Sequence, residues 1–92
     1  MSAAYGEHLV RLSDDDVLAE LRHQLDAYWH AHGRDDRHHA YRCVVEIRGE
    51  LRRRLGHDET ERLYLEALAT DKVERLQEIA ATKAAIAATG KR

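Results

Sequence analysis

The sequence predicts an all-α protein: an antiparallel helical hairpin followed by a long third helix, assembled as an oligomer. Three observations predict it. The chain contains no proline, and few residues are β-branched, so nothing interrupts helix and little favours strand. Two interior glycines, Gly33 and Gly56, divide it into three segments. Within each segment apolar residues recur at three- and four-residue steps, with no competing alternation.

The first predicted helix spans 13–32. Ser13 has the right chemistry for an N-cap, and Asp14, Asp15 and Asp16 complement the positive end of the helix dipole. Leu12 and Val17 have hydrophobic-staple spacing. The apolar stripe is Val17, Leu18, Leu21, Leu25, Tyr28 and Trp29. Gly33 reads as the C-terminal stop.

The second predicted helix spans 36–55, with the stripe Ala40, Val44, Ile47, Leu51 and Leu55 and with Cys43 on its flank. Arg52, Arg53 and Arg54 suit the negative end of the dipole, and Gly56 ends the helix. Gly49, inside it, costs roughly 1 kcal/mol relative to alanine.

The third predicted helix spans 58–89, with Asp58 and Glu61 as its start signal. Its stripe is Leu65, Leu68, Ala69, Val73, Leu76, Ile79, Ala80, Ala84, Ile86 and Ala87. At about 1.5 Å per residue it is roughly 48 Å long, against about 30 Å for each of the others. The hairpin cannot cover it, so its far end either frays or packs on another chain, where Ala80, Ala84 and Ala87 allow close approach. Residues 1–12 read as a loosely ordered segment, with Tyr5, Leu9, Val10 and Leu12 apolar enough to dock.

Length and charge narrow the function classes. The 92 residues, 10.6 kDa, make one domain, with no room for a large enzyme cleft. One cysteine forms no internal disulfide. No apolar run approaches the roughly 20 residues of a membrane span. Residues 1–8 lack a basic region followed by an apolar core, so no signal peptide is expected and the cytoplasm is the default. Twelve Arg against three Lys, with 14 Ala, match a GC-rich coding bias, bacterial or phage. The net charge of −2 gives no general field for nucleic acid. That charge divides unevenly: −4 over residues 1–33, +3 over 34–56 and −1 over 57–92. The first two helices complement each other as neighbours; the other reading is that the second presents arginines to an anionic partner.

On a helical wheel His38, Tyr41, Val45, Gly49 and Arg52 form a second strip on the middle helix, roughly 100–180° from its core stripe. Glycine there permits close backbone approach. Two readings stand: a middle helix touching both neighbours, or an interface. Tyr28 and Trp29 either close the end of the bundle or anchor a partner. The candidate interface is therefore Tyr28, Trp29, Tyr41, Val45, Gly49 and Arg52, together with Ile79, Ala80, Ala84 and Ala87 on the third helix.

No catalytic constellation stands out. His39 and Cys43 have the i, i+4 spacing of a zinc pair, and His30, His32 and His38 lie close in sequence, but no paired CxxC or HExxH accompanies them. Glu20 and His23 form an isolated Glu-x-x-His step placed toward solvent, where a di-iron bundle needs two such steps. Cys43 reads as a small core residue, and no glycine-rich phosphate loop exists. No metal, cofactor or catalytic residue is expected. The expected function is non-enzymatic: a small regulatory or interaction protein whose helix faces contact another protein, self-associating as a dimer, without nucleic acid or membrane. The alternatives are a nucleic-acid-associated regulator using the arginines of the second helix, and a metal-binding sensor or small enzyme.

Overall fold

The computed structural model describes residues 3–90, and these are all-helical: α1 (Ala3–Val10), α2 (Asp14–Trp29), α3 (Arg34–Leu55) and α4 (His57–Thr89). Helices α2 and α3 form the antiparallel hairpin. Helix α4 turns back along it, and α1 packs on α3.

The hairpin core follows the local periodicity. Val17, Leu21 and Leu25 of α2 meet Val44, Ile47 and Leu51 of α3, and Ala40 and Cys43 are buried beside them. Ser13 caps α2: its Oγ accepts from the Asp16 amide at 3.1 Å. The expected C-terminal stop does not form at Gly33. Helix α2 ends at Trp29 with His30 as its C-cap, whose amide and ring both bond the Asp26 carbonyl. Gly33 has an extended backbone and serves as the N-cap of α3 instead. Gly56 does end α3, at φ 86° and ψ 170°. Helix α4 follows at once, without an Asp58 cap; the Thr60 hydroxyl donates to the Gly56 carbonyl at 2.7 Å.

Two further expectations are corrected. The N-terminal segment is not loose, since residues 3–10 form a helix that makes the protein four-helical. Leu9 is buried in the core, and Tyr5 and Leu12 pack against it at steps of four and three. Arg54 closes the end of α1 by donating to the Leu9 and Val10 carbonyls, and is itself held by Glu50 and Asp14.

The second correction concerns α4. Apart from Leu68, which packs against the core, its predicted apolar stripe is exposed. The buried residues of α4 are Thr60, Ala67 and Asp71, within about 40° on a wheel, and the line Ala69–Val73–Leu76–Ala80 lies about 160° from them. Small and polar residues face the hairpin because α4 lies close to it; Ala67 leaves room, Thr60 bonds its own backbone, and Arg75 donates to Asp71 at 3.3 Å. The described chain extends over 56 × 27 × 18 Å. No helix is long and apolar enough to cross a membrane, among the described residues.

Candidate functional site

The turn between α2 and α3 brings Tyr28, Trp29 and Tyr41 together. With Leu25, Val44, Tyr64 and Leu68 they line an apolar cleft of about 230 Å³. Tyr28 and Trp29 meet edge to face, with ring centroids 5.1 Å apart at 88°, the arrangement that aromatic quadrupoles prefer. Cations lie over two of these rings: Arg75 is 3.8 Å from the centroid of Trp29, and Arg48 is 4.1 Å from that of Tyr64. Trp29 keeps 43% of its surface exposed and Tyr41 keeps 55%.

Tyr28 and Tyr41 also line an adjoining open recess with His32, Gly33, Arg34, Arg37 and His38. Arg37 stands 5.9 Å from the Tyr28 ring centroid. Further along α3, Arg48, Arg52, Arg53 and Arg54 each have a carboxylate partner, whereas Arg34, Arg37 and Arg42 have none among the described residues; of these three, Arg34 and Arg37 line the recess. Asp35 and Asp36 share the same turn but do not line the recess. The site is therefore an apolar aromatic cleft with a cationic mouth.

The cleft is braced where α4 crosses the end of α2. The His30 ring bonds the Asp26 carbonyl at 2.9 Å and the Glu78 carboxylate at 2.9 Å. The bond to the Asp26 backbone, and then the bond to Glu78, push His30 up to about 9. Its imidazole is thus charged at neutral pH, with both ring nitrogens donating. At the other end of α4, hydrogen bonding from Arg48 holds the Glu61 carboxyl below its usual range.

The remaining predicted residues lie elsewhere. Val45 and Gly49 line a shallow groove beside α1, with Gly6, Val10 and Glu46. Nothing approaches within 4 Å of a Cβ built at Gly49, so no helix closes on α3 at that position. Helix α3 touches all three neighbours, and within the strip Tyr41 shares the cleft with Tyr64 and Leu68 of α4. Arg52 comes within 3.8 Å of Glu61. Ile79, Ala80, Ala84 and Ala87 are exposed on the far part of α4, beyond its contact with His30.

His39 Nε2 lies 3.7 Å from Cys43 Sγ, but His30 is committed to Asp26 and Glu78, and His32 and His38 line the recess. No three His, Cys, Asp or Glu side chains converge to hold a metal among the described residues. Burial raises the Cys43 thiol, the opposite of what activates a nucleophile. Glu20 is not simply solvated, because it accepts from the Tyr5 hydroxyl at 3.0 Å and from Gln24 at 3.0 Å. Burial, followed by that bond, raises the Tyr5 phenol.

The sequence reading missed Tyr64, Arg34, Arg37 and Arg75. A signal existed for Arg37, four residues before Tyr41 on the same face. Tyr64 stands off the apolar stripe of α4 and had none. Compared with protein-family models, curated proteins and solved structures, the chain matches none.

Proposed function

We propose that this is a small, non-enzymatic interaction protein, regulatory in use, that acts through helix faces and assembles as a dimer along α4. The observation that carries the reading is the line Ala69, Val73, Leu76, Ala80, Ala84 and Ala87. It follows steps of three and four residues, and every member is exposed. Leu65, Ile79 and Ile86 flank it, exposed at 61%, 48% and 66%. A helix this apolar on its outer side gains by burying it, and the alanines let a second helix come close. Lys72 and Lys83 border the seam on the Ile79 side, where their stems can cover apolar surface while the amines stay in water. The buried free thiol of Cys43 suits a reducing compartment such as the cytoplasm.

Sedimentation equilibrium tests this. The expected mass is about twice the 10.6 kDa of the chain, and Ala84→Glu is expected to shift it toward the monomer. A clean monomer at high micromolar concentration would refute the dimer.

A further inference from the structure

We propose that the aromatic cleft and its cationic mouth dock a short acidic segment of another protein. One bulky apolar side chain enters between Trp29, Tyr41, Tyr64 and Leu68, and neighbouring carboxylates meet Arg34 and Arg37. This surface is separate from the α4 seam and goes beyond self-association.

The size of the cleft selects the class of ligand. Its roughly 230 Å³ falls below the ~300–1,000 Å³ of small-molecule and cofactor pockets. It suits a single anchor side chain, and anchors that fill such pockets dominate interface energetics. The lining is half-exposed aromatic surface that gains on being covered, beside apolar Leu25, Val44 and Leu68.

Charge selects the sign. Arg34 and Arg37 are exposed and unpaired among the described residues and line the recess, while Arg48, Arg52, Arg53 and Arg54 further along α3 are already engaged; Arg42 is unpaired too but lies outside the recess. The first turn of α3 adds its unpaired amides, since Gly33 offers no side-chain cap. His32 and His38 edge the same recess. A carboxylate placed there gains charge-assisted hydrogen bonds from the guanidinium groups, whereas a lysine would be repelled.

Geometry separates a peptide from a nucleic acid. Single-strand binding needs a basic groove that tracks several phosphates beside stacking platforms. Here only Arg34 and Arg37 line the mouth, Asp35 and Asp36 share its turn, and the depth of the cleft is aliphatic as well as aromatic.

Trp29 is the sole tryptophan, so its emission reports occupancy of the cleft directly. The full chain would be titrated with a panel of capped acidic decapeptides, each carrying Phe, Leu or Met as one central apolar residue. Matched peptides with that residue as Ala, or with Lys for every acid, and an oligothymidylate of equal length serve as comparisons. Saturable binding below ~1 mM is expected for at least one acidic peptide, weakened about tenfold or more by loss of the anchor or by Arg34→Glu with Arg37→Glu. Those two substitutions add acids near a helix N-terminus, where they favour folding, so weakened binding would not reflect unfolding. Retained helicity by circular dichroism confirms it. Absence of saturable binding across the panel overturns the proposal, as does equal binding of the lysine peptides or tighter binding of the oligothymidylate. Sedimentation reads the α4 seam independently, so either surface can fail while the other stands.

Discussion

Arg75 of α4 lays its guanidinium carbon 3.8 Å from the centre of the Trp29 ring on α2. Asp71, buried one turn earlier, orients that guanidinium, and one turn later Glu78 takes a hydrogen bond from His30. These contacts pin α4 across the turn end of the hairpin. They fix one wall of the aromatic cleft and mark where α4 leaves the body of the protein.

The His30 contact makes this junction sensitive to pH. Its folded-state value is raised from 6.5 to about 9, so its contribution is fully present below about pH 6.5 and lost as pH rises through about 9. A histidine-resolved NMR titration is expected to place the His30 midpoint near 9. Glu78→Gln is expected to lower it, and the melting temperatures of wild type and His30→Gln are expected to converge above that pH. A His30 midpoint near 6.5 would contradict the contact.

Two glycines are expected to respond oppositely to alanine. Gly56 sits at φ 86° and ψ 170°, a region essentially reserved for glycine, so Gly56→Ala is expected to cost about 1–3 kcal/mol. Gly49 is helical, with open space where a Cβ would stand, so Gly49→Ala is expected to stabilise by roughly 0.5–1 kcal/mol. Urea unfolding at one protein concentration measures both.

Ile47 and Leu76 separate the core from the seam. Ile47 is fully buried, and Ile47→Ala is expected to cost about 2–5 kcal/mol. Leu76 is 56% exposed, and Leu76→Ala is expected to change the stability of the dilute monomer by less than ~0.5 kcal/mol while weakening association. Chemical unfolding at low concentration, combined with sedimentation at high concentration, distinguishes the two effects.

Helix α1 depends on a distant residue. Arg54 donates to the Leu9 and Val10 carbonyls and pairs with Asp14. Arg54→Met is expected to speed amide exchange through residues 3–10 while leaving the α2 and α3 cores protected. Unchanged exchange in α1 would show that Leu9 and Tyr5 hold it alone.

Much of the architecture was legible locally. The apolar spacing of Val17, Leu21 and Leu25, and of Val44, Ile47 and Leu51, marked two helices and the faces they bury. Ser13 marked a cap and Gly56 a stop. Helix α1 was legible in principle through Tyr5, Leu9 and Leu12, but eight residues make too short a helix to stand alone. The candidate site was half legible: Tyr28, Trp29 and Tyr41 stood out as aromatic residues near a turn, while Tyr64 and Arg75 carried no local mark.

Helix type, caps and spacing depend on hydrogen bonds and side chains within about four residues, and this chain states them openly in its lack of proline and its regular apolar steps. The rotation of α4 about its axis is a different kind of quantity. Apolar residues occur on several sides of that helix, so its own sequence did not say which side would face inward. Packing chose the side bearing Thr60, Ala67 and Asp71, because small or internally bonded residues allow the closest approach to the hairpin. That choice left Leu76 and Ala80 outside, and it brought Arg75 to Trp29 and Glu78 to His30, partners more than forty positions apart whose pairing depends on the burial of the whole chain.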